Sequence, residues 1–357
     1  MDPHANSKPS ASRPRNDLLL RAMAREPVPR APVWMMRQAG RSDPEYLAYR
    51  ERAGLPLYDL FRSPEHAVPI TLLPKRFGVD ALILYQDILT PLEPMGAVFH
   101  FTPGPVLAEA VRDAAAVSTL HPFDPAAHLG FIAESIAGVL SEVDGELPLL
   151  GFAGAPFTLA AFLIEGTSPT RGMDRTLALA REEPGLFGDL MARLTEMTAV
   201  YLAFQAAAGV HGVQLFESVG DQIPRDLYET FAQPSHTRIF SALKDSSPGL
   251  PTILFVRESP FPELMAESGA AVLSVGAGTS LAEMKRIYGD RLAVQGNVDN
   301  RLLVEGSPAQ VAAAVKACLD STGGQGHLLN LNHGLLPDTP FANVLAFVEA
   351  ARAWKAG

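Results

Sequence analysis

Eight short apolar runs, spaced along 357 residues and separated by longer amphipathic segments, constrain this chain more than any other feature. They are "PVWMM" from residue 32, "ALILYQ" from 81, "LPLLGFAG" from 147 and "GVQLFES" from 212. Then follow "PTILFVRE" from 251, "AAVLSVG" from 270, "LAVQGNV" from 292 and "HLLNLNHG" from 327. Most are continuously apolar, as expected of strands covered on both faces. Strands alternating with helices imply a parallel sheet with crossover helices. Eight such units in this length predict an α/β fold, a single (β/α)8 TIM-type barrel. An open doubly wound sheet is the alternative. Glycines at 209, 269, 289 and 323–324 stand where helix C-caps with positive φ are expected.

Composition narrows the function classes. A net charge of -10 argues against nucleic acid as the main partner, because phosphate binding needs a basic face. No stretch nears the ~18 continuous apolar residues of a membrane span, so no membrane partner is expected. Residues 1–16, "MDPHANSKPSASRPRN", read as a disordered polar leader, and residues 17–357 as one barrel domain. A cytoplasmic location follows as an expectation. The lone Cys318 excludes an intramolecular disulfide and any multi-cysteine zinc site, and it reads as a small core residue.

In a barrel of this kind the strands' C-terminal ends build the active site. That rule selects Arg37, Gln38 and Arg41 after the first run, Gln86 and Asp87 after the second, and Glu217-Ser218 after the fourth. It adds Arg257-Glu258, Asn297, Asp299 and the triplet Asn332-His333-Gly334. The small-residue turn of "GFAGAPFTLAAFLIEG" follows the third run. No metal-ligand spacing occurs among these residues, and "VGAGTS" (275–280) lacks the third glycine of a nucleotide loop. Arginines four apart repel on a helix but suit carboxylates bidentately, which favours anion binding. Pairing with Asp43, Glu45 or Glu51 is the competing reading. Asp87 is read either as a helix cap or as a site carboxylate. Ser218 reads first as a capping hydroxyl. His333 is open between core and site, and Arg257-Glu258 is read as a structural ion pair. The set suits a large polyanion with an apolar body.

"PVWMMRQAGR", "GFAGAPFTLAAFLIEG", "QLFES", "QGNVD" and "NLNHGLLPD", in this order, resemble the signature blocks of the uroporphyrinogen decarboxylase family. The resemblance runs from about residue 17 to the C-terminus. It implies a (β/α)8 barrel, a homodimer with facing clefts, and no metal or organic cofactor. It also implies the conversion of the four acetates of uroporphyrinogen III to methyls, giving coproporphyrinogen III and four CO2. Arg37, Arg41 and Arg50 match the family's substrate-binding arginines, and Asp87 matches the aspartate that faces the pyrrole nitrogens. Ser218 and His333 match further substrate contacts. Arg37 is the family's commonest candidate for the proton donor. Phe162 stands where the family has a tyrosine. Ser42-Asp43, Tyr85-Gln86 and Asn332 replace usual residues, and Asp43 places a negative charge near the arginines. Two other functions compete. One is a non-catalytic tetrapyrrole-binding paralogue. The other is a corrinoid-linked methyltransferase, which needs a thiolate-containing zinc site that Cys318 alone cannot supply.

Overall fold

The computed structural model describes residues 13–101 and 104–355. Residues 1–12, most of the expected leader, lie outside the described residues. Arg15 and Asn16 are bonded to the barrel, their N–H groups donating to the carbonyls of Gly145 and Glu146 at 2.7 and 2.9 Å.

Seven parallel strands form one curled sheet, with a two-stranded hairpin beside it. In chain order they are β1 (Leu82–Ile83), the hairpin strands β2 (Phe99–Phe101) and β3 (Pro105–Leu107), and β4 (Leu149–Gly154). Then come β5 (Gly212–Glu217), β6 (Thr252–Val256), β7 (Val272–Ser274), β8 (Ala293–Val298) and β9 (His327–Leu331). The sheet order β1-β4-β5-β6-β7-β8-β9 follows the chain, so every crossover joins neighbours. The registers are parallel throughout, for example Leu150 opposite Gly212 and Val294 opposite His327.

The first expected strand is reduced to a bridge. Val33 pairs with Leu329 in parallel, and its carbonyl accepts from the Asp80 N–H at 2.7 Å. It thus links β9 to the start of β1 and closes the ring at the eighth position. Pro32 has no N–H to extend the ladder, which keeps the strand this short. Closure sets aside the open-sheet alternative. The β2–β3 hairpin, absent from the sequence expectation, sits in the loop that follows β1.

The barrel is filled in two layers. An inner cluster joins Trp34, Met36, Ile253, Phe255, Val272 and Leu328 with Leu19 and Met23 of the short helix Leu18–Met23. That helix plugs the end where the strands begin. A polar chain crosses the lumen: Trp34 Nε1 donates to Gln295 Oε1 at 3.0 Å, and Gln295 Nε2 donates to Gln214 Oε1 at 2.9 Å. The larger cluster lies between strands and outer helices. Each fully buried Leu or Phe there contributes about 1.5–3 kcal/mol.

Local signals set the helix ends. Helix Pro308–Thr322 starts with Pro308 in its first turn and a reciprocal capping box between Ser307 and Gln310. Gly209 ends helix Pro184–Ala208 at φ 109°, as its position predicts. Gly289 differs: it caps helix Leu281–Tyr288 with φ -64°, a right-handed backbone. Its requirement is space, because a Cβ there would lie 2.4 Å from the Lys285 carbonyl oxygen.

Candidate active site

The chain leaves its first strand through a turn that aims Arg37 across the barrel mouth. Arg37 adopts φ 62°, a left-handed conformation that costs a non-glycine residue about 1 kcal/mol or more. Gln38 supports the turn. Its Oε1 accepts from the Met35 N–H at 3.1 Å, and its Nε2 donates to the Ala81 carbonyl at 3.0 Å. The Leu335 N–H donates to the Met36 carbonyl at 3.0 Å, tying this turn to the loop after β9. A Cβ on Gly334 would lie 2.5 Å from Arg37 Cδ, so glycine is what lets the arginine pass.

Arg37, Arg41, Asp87, Phe162, Ser218 and His333 line one cavity of about 570 Å³ at the C-terminal ends of the strands. Phe152, Phe216 and Phe255 supply an apolar floor, and Phe101 and Pro105 reach over from the hairpin. A second concavity of about 430 Å³, lined by Phe123, Arg193 and Val200 among others, contains none of the expected site residues.

Two of the three acidic partners proposed for the arginines, Asp43 and Glu45, are used elsewhere. Asp43, 1% exposed, caps helix Pro44–Ala53 and pairs with Arg76. Glu45 joins the same Arg76 at 3.0 Å. Asp43 is therefore neutralised rather than loose beside the site. Arg50 differs from the expectation. It does not line the cavity, and its Nε is buried without a hydrogen-bond partner among the described residues. Its charge reaches Tyr85, whose hydroxyl shares a 2.8 Å bond with that of Tyr46.

Burial pushes the Asp87 carboxyl above its ordinary value. The Leu89 N–H, donating to Asp87 Oδ1 at 2.7 Å, and the charges of Arg62 and Arg37 act against that rise. Asp87 is therefore a cavity carboxylate that also closes a local turn on the Leu89 N–H. The helix-cap reading does not hold, because Leu89 precedes the short helix Thr90–Leu92, which takes no side-chain cap. Arg37 is lowered from the usual guanidinium value by burial, then by Arg41 and Arg257, with Asp87 opposing. His333 is driven down to about 3 by burial and by the Arg37 and Arg257 charges. At neutral pH it offers a hydrogen bond and no charge.

Other strand-end residues do structural work. Glu217 points away from the cavity: it is fully buried, accepts from Thr158 Oγ1 and bonds His236 Nε2 at 3.1 Å. Asn297 Nδ2 clamps the 275–280 loop through the carbonyls of Gly276 and Thr279 at 2.8 and 2.7 Å. Asp299 caps helix Asn300–Glu305. Asn332 bridges the Asn300 N–H at 2.9 Å and Glu258 at 3.3 Å. Arg257 pairs with Asp221 at 3.4 Å rather than with Glu258. Of two further contributors, Arg62 is absent from the expected site and Arg257 is set aside there as half of a structural ion pair. Arg62 lies on a helix away from any strand end, where no spacing rule points to it. Arg257 does end a strand but stands beside a carboxylate. Cys318 lies on helix Pro308–Thr322 with its thiol pushed up to about 11 by burial, so it is unreactive at neutral pH. Among the described residues no group of three or more His, Cys, Asp or Glu is placed to hold a metal ion.

This arrangement can bind several carboxylates around an apolar ring system and present one carboxylate to it. Comparison with known proteins identifies the family. The sequence pattern of the uroporphyrinogen decarboxylase (URO-D) family matches residues 14–354. A uroporphyrinogen decarboxylase from Thioalkalivibrio sulfidiphilus is 39% identical over 94% of this chain and 97% of its own. One from Streptomyces coelicolor is 41% identical over 94% of each chain. Among solved structures, a methyltransferase from Methanosarcina mazei superposes with a TM-score of 0.80 over 95% of this chain and 98% of its own. At 22% identity that likeness speaks for the fold alone. With two arginines that form no ion pair among the described residues, a recessed aspartate and a matching pattern over nearly its whole length, the chain belongs to the uroporphyrinogen decarboxylase family.

Proposed function

We propose that this chain is a carboxy-lyase that converts the four acetates of uroporphyrinogen III to methyls, releasing four CO2 and yielding coproporphyrinogen III. The observation that carries the reading is the convergence of Arg37, Arg41, Asp87, Phe162, Ser218 and His333 on one apolar-floored cavity. For each acetate, a proton adds to the ring carbon beside the acetate-bearing carbon and leaves a cationic ring. The bond to the carboxylate then breaks, its electron pair stays with the ring system as an exocyclic methylene, and CO2 departs. A second proton makes the methyl, and the first leaves the ring carbon. One proton is consumed per CO2 released.

Asp87, facing the pyrrole N–H groups, stabilises the cationic ring by preorganised charge. Arg37 and Arg41 hold substrate carboxylates, and Arg50, whose charge acts on Tyr85, adds to the positive field without lining the cavity. Ser218 and neutral His333 hydrogen-bond the substrate, and Phe162 packs on the macrocycle. Arg37 is the candidate donor of the ring proton, which burial and two neighbouring cations make less firmly held than usual. The reading includes a cytoplasmic homodimer with facing clefts, one barrel domain spanning residues 17–357 and no metal or organic cofactor. The family resemblance supports these points, and no helix among the described residues is long and apolar enough to cross a membrane.

The test is anaerobic incubation with uroporphyrinogen and chromatography of the oxidised products. Coproporphyrin with seven-, six- and five-carboxyl intermediates is expected, and their complete absence rejects the reading. Asp87→Asn should reduce turnover by about 10²–10³ while the fold survives, the scale of losing one preorganised charge at a reacting centre. Phe162, which lacks a hydroxyl, favours one second reading: a tetrapyrrole-binding protein without turnover, which the same incubation separates. Stoichiometric zinc in the purified protein would instead favour the methyltransferase chemistry.

A further inference from the structure

A second, small recess adjoins the cavity at Asp87. Tyr58, Arg62, Glu93 and Asp87 line it together with Leu89 and Phe101. Arg62 is the last residue of helix Leu57–Arg62, and Glu93 follows the short turn Thr90–Leu92. The two form an ion pair. The Tyr58 hydroxyl donates to the Glu93 carboxylate, 2.9 and 3.0 Å from its two oxygens. The Arg62 guanidinium also lies 4.0 Å from the centre of the Tyr58 ring, within cation–π range. Ion pair and ring together fix the cation at one edge of the recess that Asp87 shares.

We propose that Arg62, clamped by Glu93 and Tyr58, is a positioning residue that keeps Asp87 ionised while Asp87 faces a pyrrole ring. The proposal rests on the role given to Asp87 above. Four groups bear on Asp87 from four elements: Arg62 from its helix, Arg37 from the turn after the first strand, Tyr85 from the end of β1 and Tyr201 from helix Pro184–Ala208. Burial pushes both tyrosine hydroxyls up, so they stay neutral. The arginines supply the positive charge, and Glu93, which lines the same recess, supplies the negative charge that partly offsets Arg62. Arg37 faces the cavity, and a bound substrate carboxylate neutralises it. Arg62 does not line that cavity. It therefore remains the standing counter-charge when the site is full and water, which would otherwise solvate the carboxylate, has been displaced. Its effect on Asp87 exceeds that of Arg37.

The test compares Arg62→Gln, Arg62→Lys and Glu93→Gln by two readouts. One is the acid limb of kcat/KM for uroporphyrinogen. The other is direct titration of the Asp87 carboxyl by carbon NMR of carboxyl-labelled aspartate, assigned with Asp87→Asn. Removing the cation should move both readouts to higher pH by about half a unit or more. Removing the anion that partly neutralises it should move both to lower pH, and Arg62→Lys should stay near the parent. A merely structural role predicts no such opposition of sign. Shifts in the same direction for Arg62→Gln and Glu93→Gln, or an Asp87 titration that Arg62→Gln leaves in place, overturn the proposal. If Arg62→Gln does not fold, Glu93→Gln decides alone, and any result but a downward shift overturns it. If Asp87 shifts as expected in a chain that never turns over uroporphyrinogen, this inference stands and the functional reading falls.

Discussion

Arg37 shows how closely a residue's neighbours can be specified by the job of its side chain. Its left-handed backbone, the buried Gln38 beneath it and the missing Cβ of Gly334 all serve to hold one guanidinium in the cavity. Gly334→Ala puts a methyl 2.5 Å from Arg37 Cδ and 2.8 Å from Cγ, and the arginine must swing away. We expect KM for uroporphyrinogen to rise about tenfold, equivalent to ~1.4 kcal/mol of lost binding. The melting temperature should change little, because Arg37 makes no ion pair among the described residues that the change could break and its side chain lines the open cavity. Steady-state kinetics beside a thermal melt check this. Unchanged KM would mean Arg37 has slack that the geometry does not show. At this scale the sequence was informative where a residue follows a strand, as with Arg37, Asp87 and His333. It was uninformative for Arg62, whose helix is distant in sequence from any strand end, and for Arg50, whose charge acts on Tyr85 although its side chain does not line the cavity.

Parity along a strand decides the next level. Side chains alternate across a sheet, so Phe216 and Ser218 face the cavity while Glu217, one residue between them, turns to the helical layer. The end of a strand can be found from sequence, but the face each residue takes there depends on a register set by the neighbouring strands. Parity accounts for Glu217. Asn297 shares the parity of the lumen-crossing Gln295 yet turns to the 275–280 loop, and Asp299 lies past the end of β8 as a helix cap. Strand-end position alone therefore does not separate these braces from Ser218 and Asp87. The brace behind β5 is specific. Thr158 Oγ1 donates to Glu217 and accepts from the Ser218 N–H at 2.8 Å, and it sits on helix Pro156–Glu165. Thr158→Val keeps the shape but removes both bonds. It leaves a buried carboxylate short of a donor and a backbone N–H without an acceptor, at a cost of about 1–3 kcal/mol. Urea denaturation measures this directly. A loss under about 0.5 kcal/mol would mean that water or His236 takes over the hydroxyl's role.

The fold as a whole depends on closing the ring, and closure rests on few contacts. Eight apolar runs made the barrel legible, yet the first contributes one bridging residue, because Pro32 cannot donate and the chain turns away after Met36. Side chains supplement the short ladder there. Asp80, fully buried at the start of β1, accepts from the Val33 N–H at 2.8 Å and from Asn16 Nδ2 at 2.9 Å. Arg30 grips it bidentately at 2.6 and 2.7 Å. One carboxylate therefore ties the N-terminal segment, the first strand and β1 together at the seam. None of this can be read from "GVD" at residues 78–80, since the partners are about 50 and 64 residues away. Asp80→Asn keeps the volume but leaves the Arg30 guanidinium, 17% exposed, without its anion. Breaking one side of a buried pair costs about 3–5 kcal/mol. The expected result is a lower denaturation midpoint, with hydrogen exchange accelerated first at the amides of Val33, Trp34 and Leu329. The seams from β4 round to β9 join longer ladders and should retain their protection. Uniform acceleration over all strands would show that the ring opens as one unit and that the seam is no weaker than the rest.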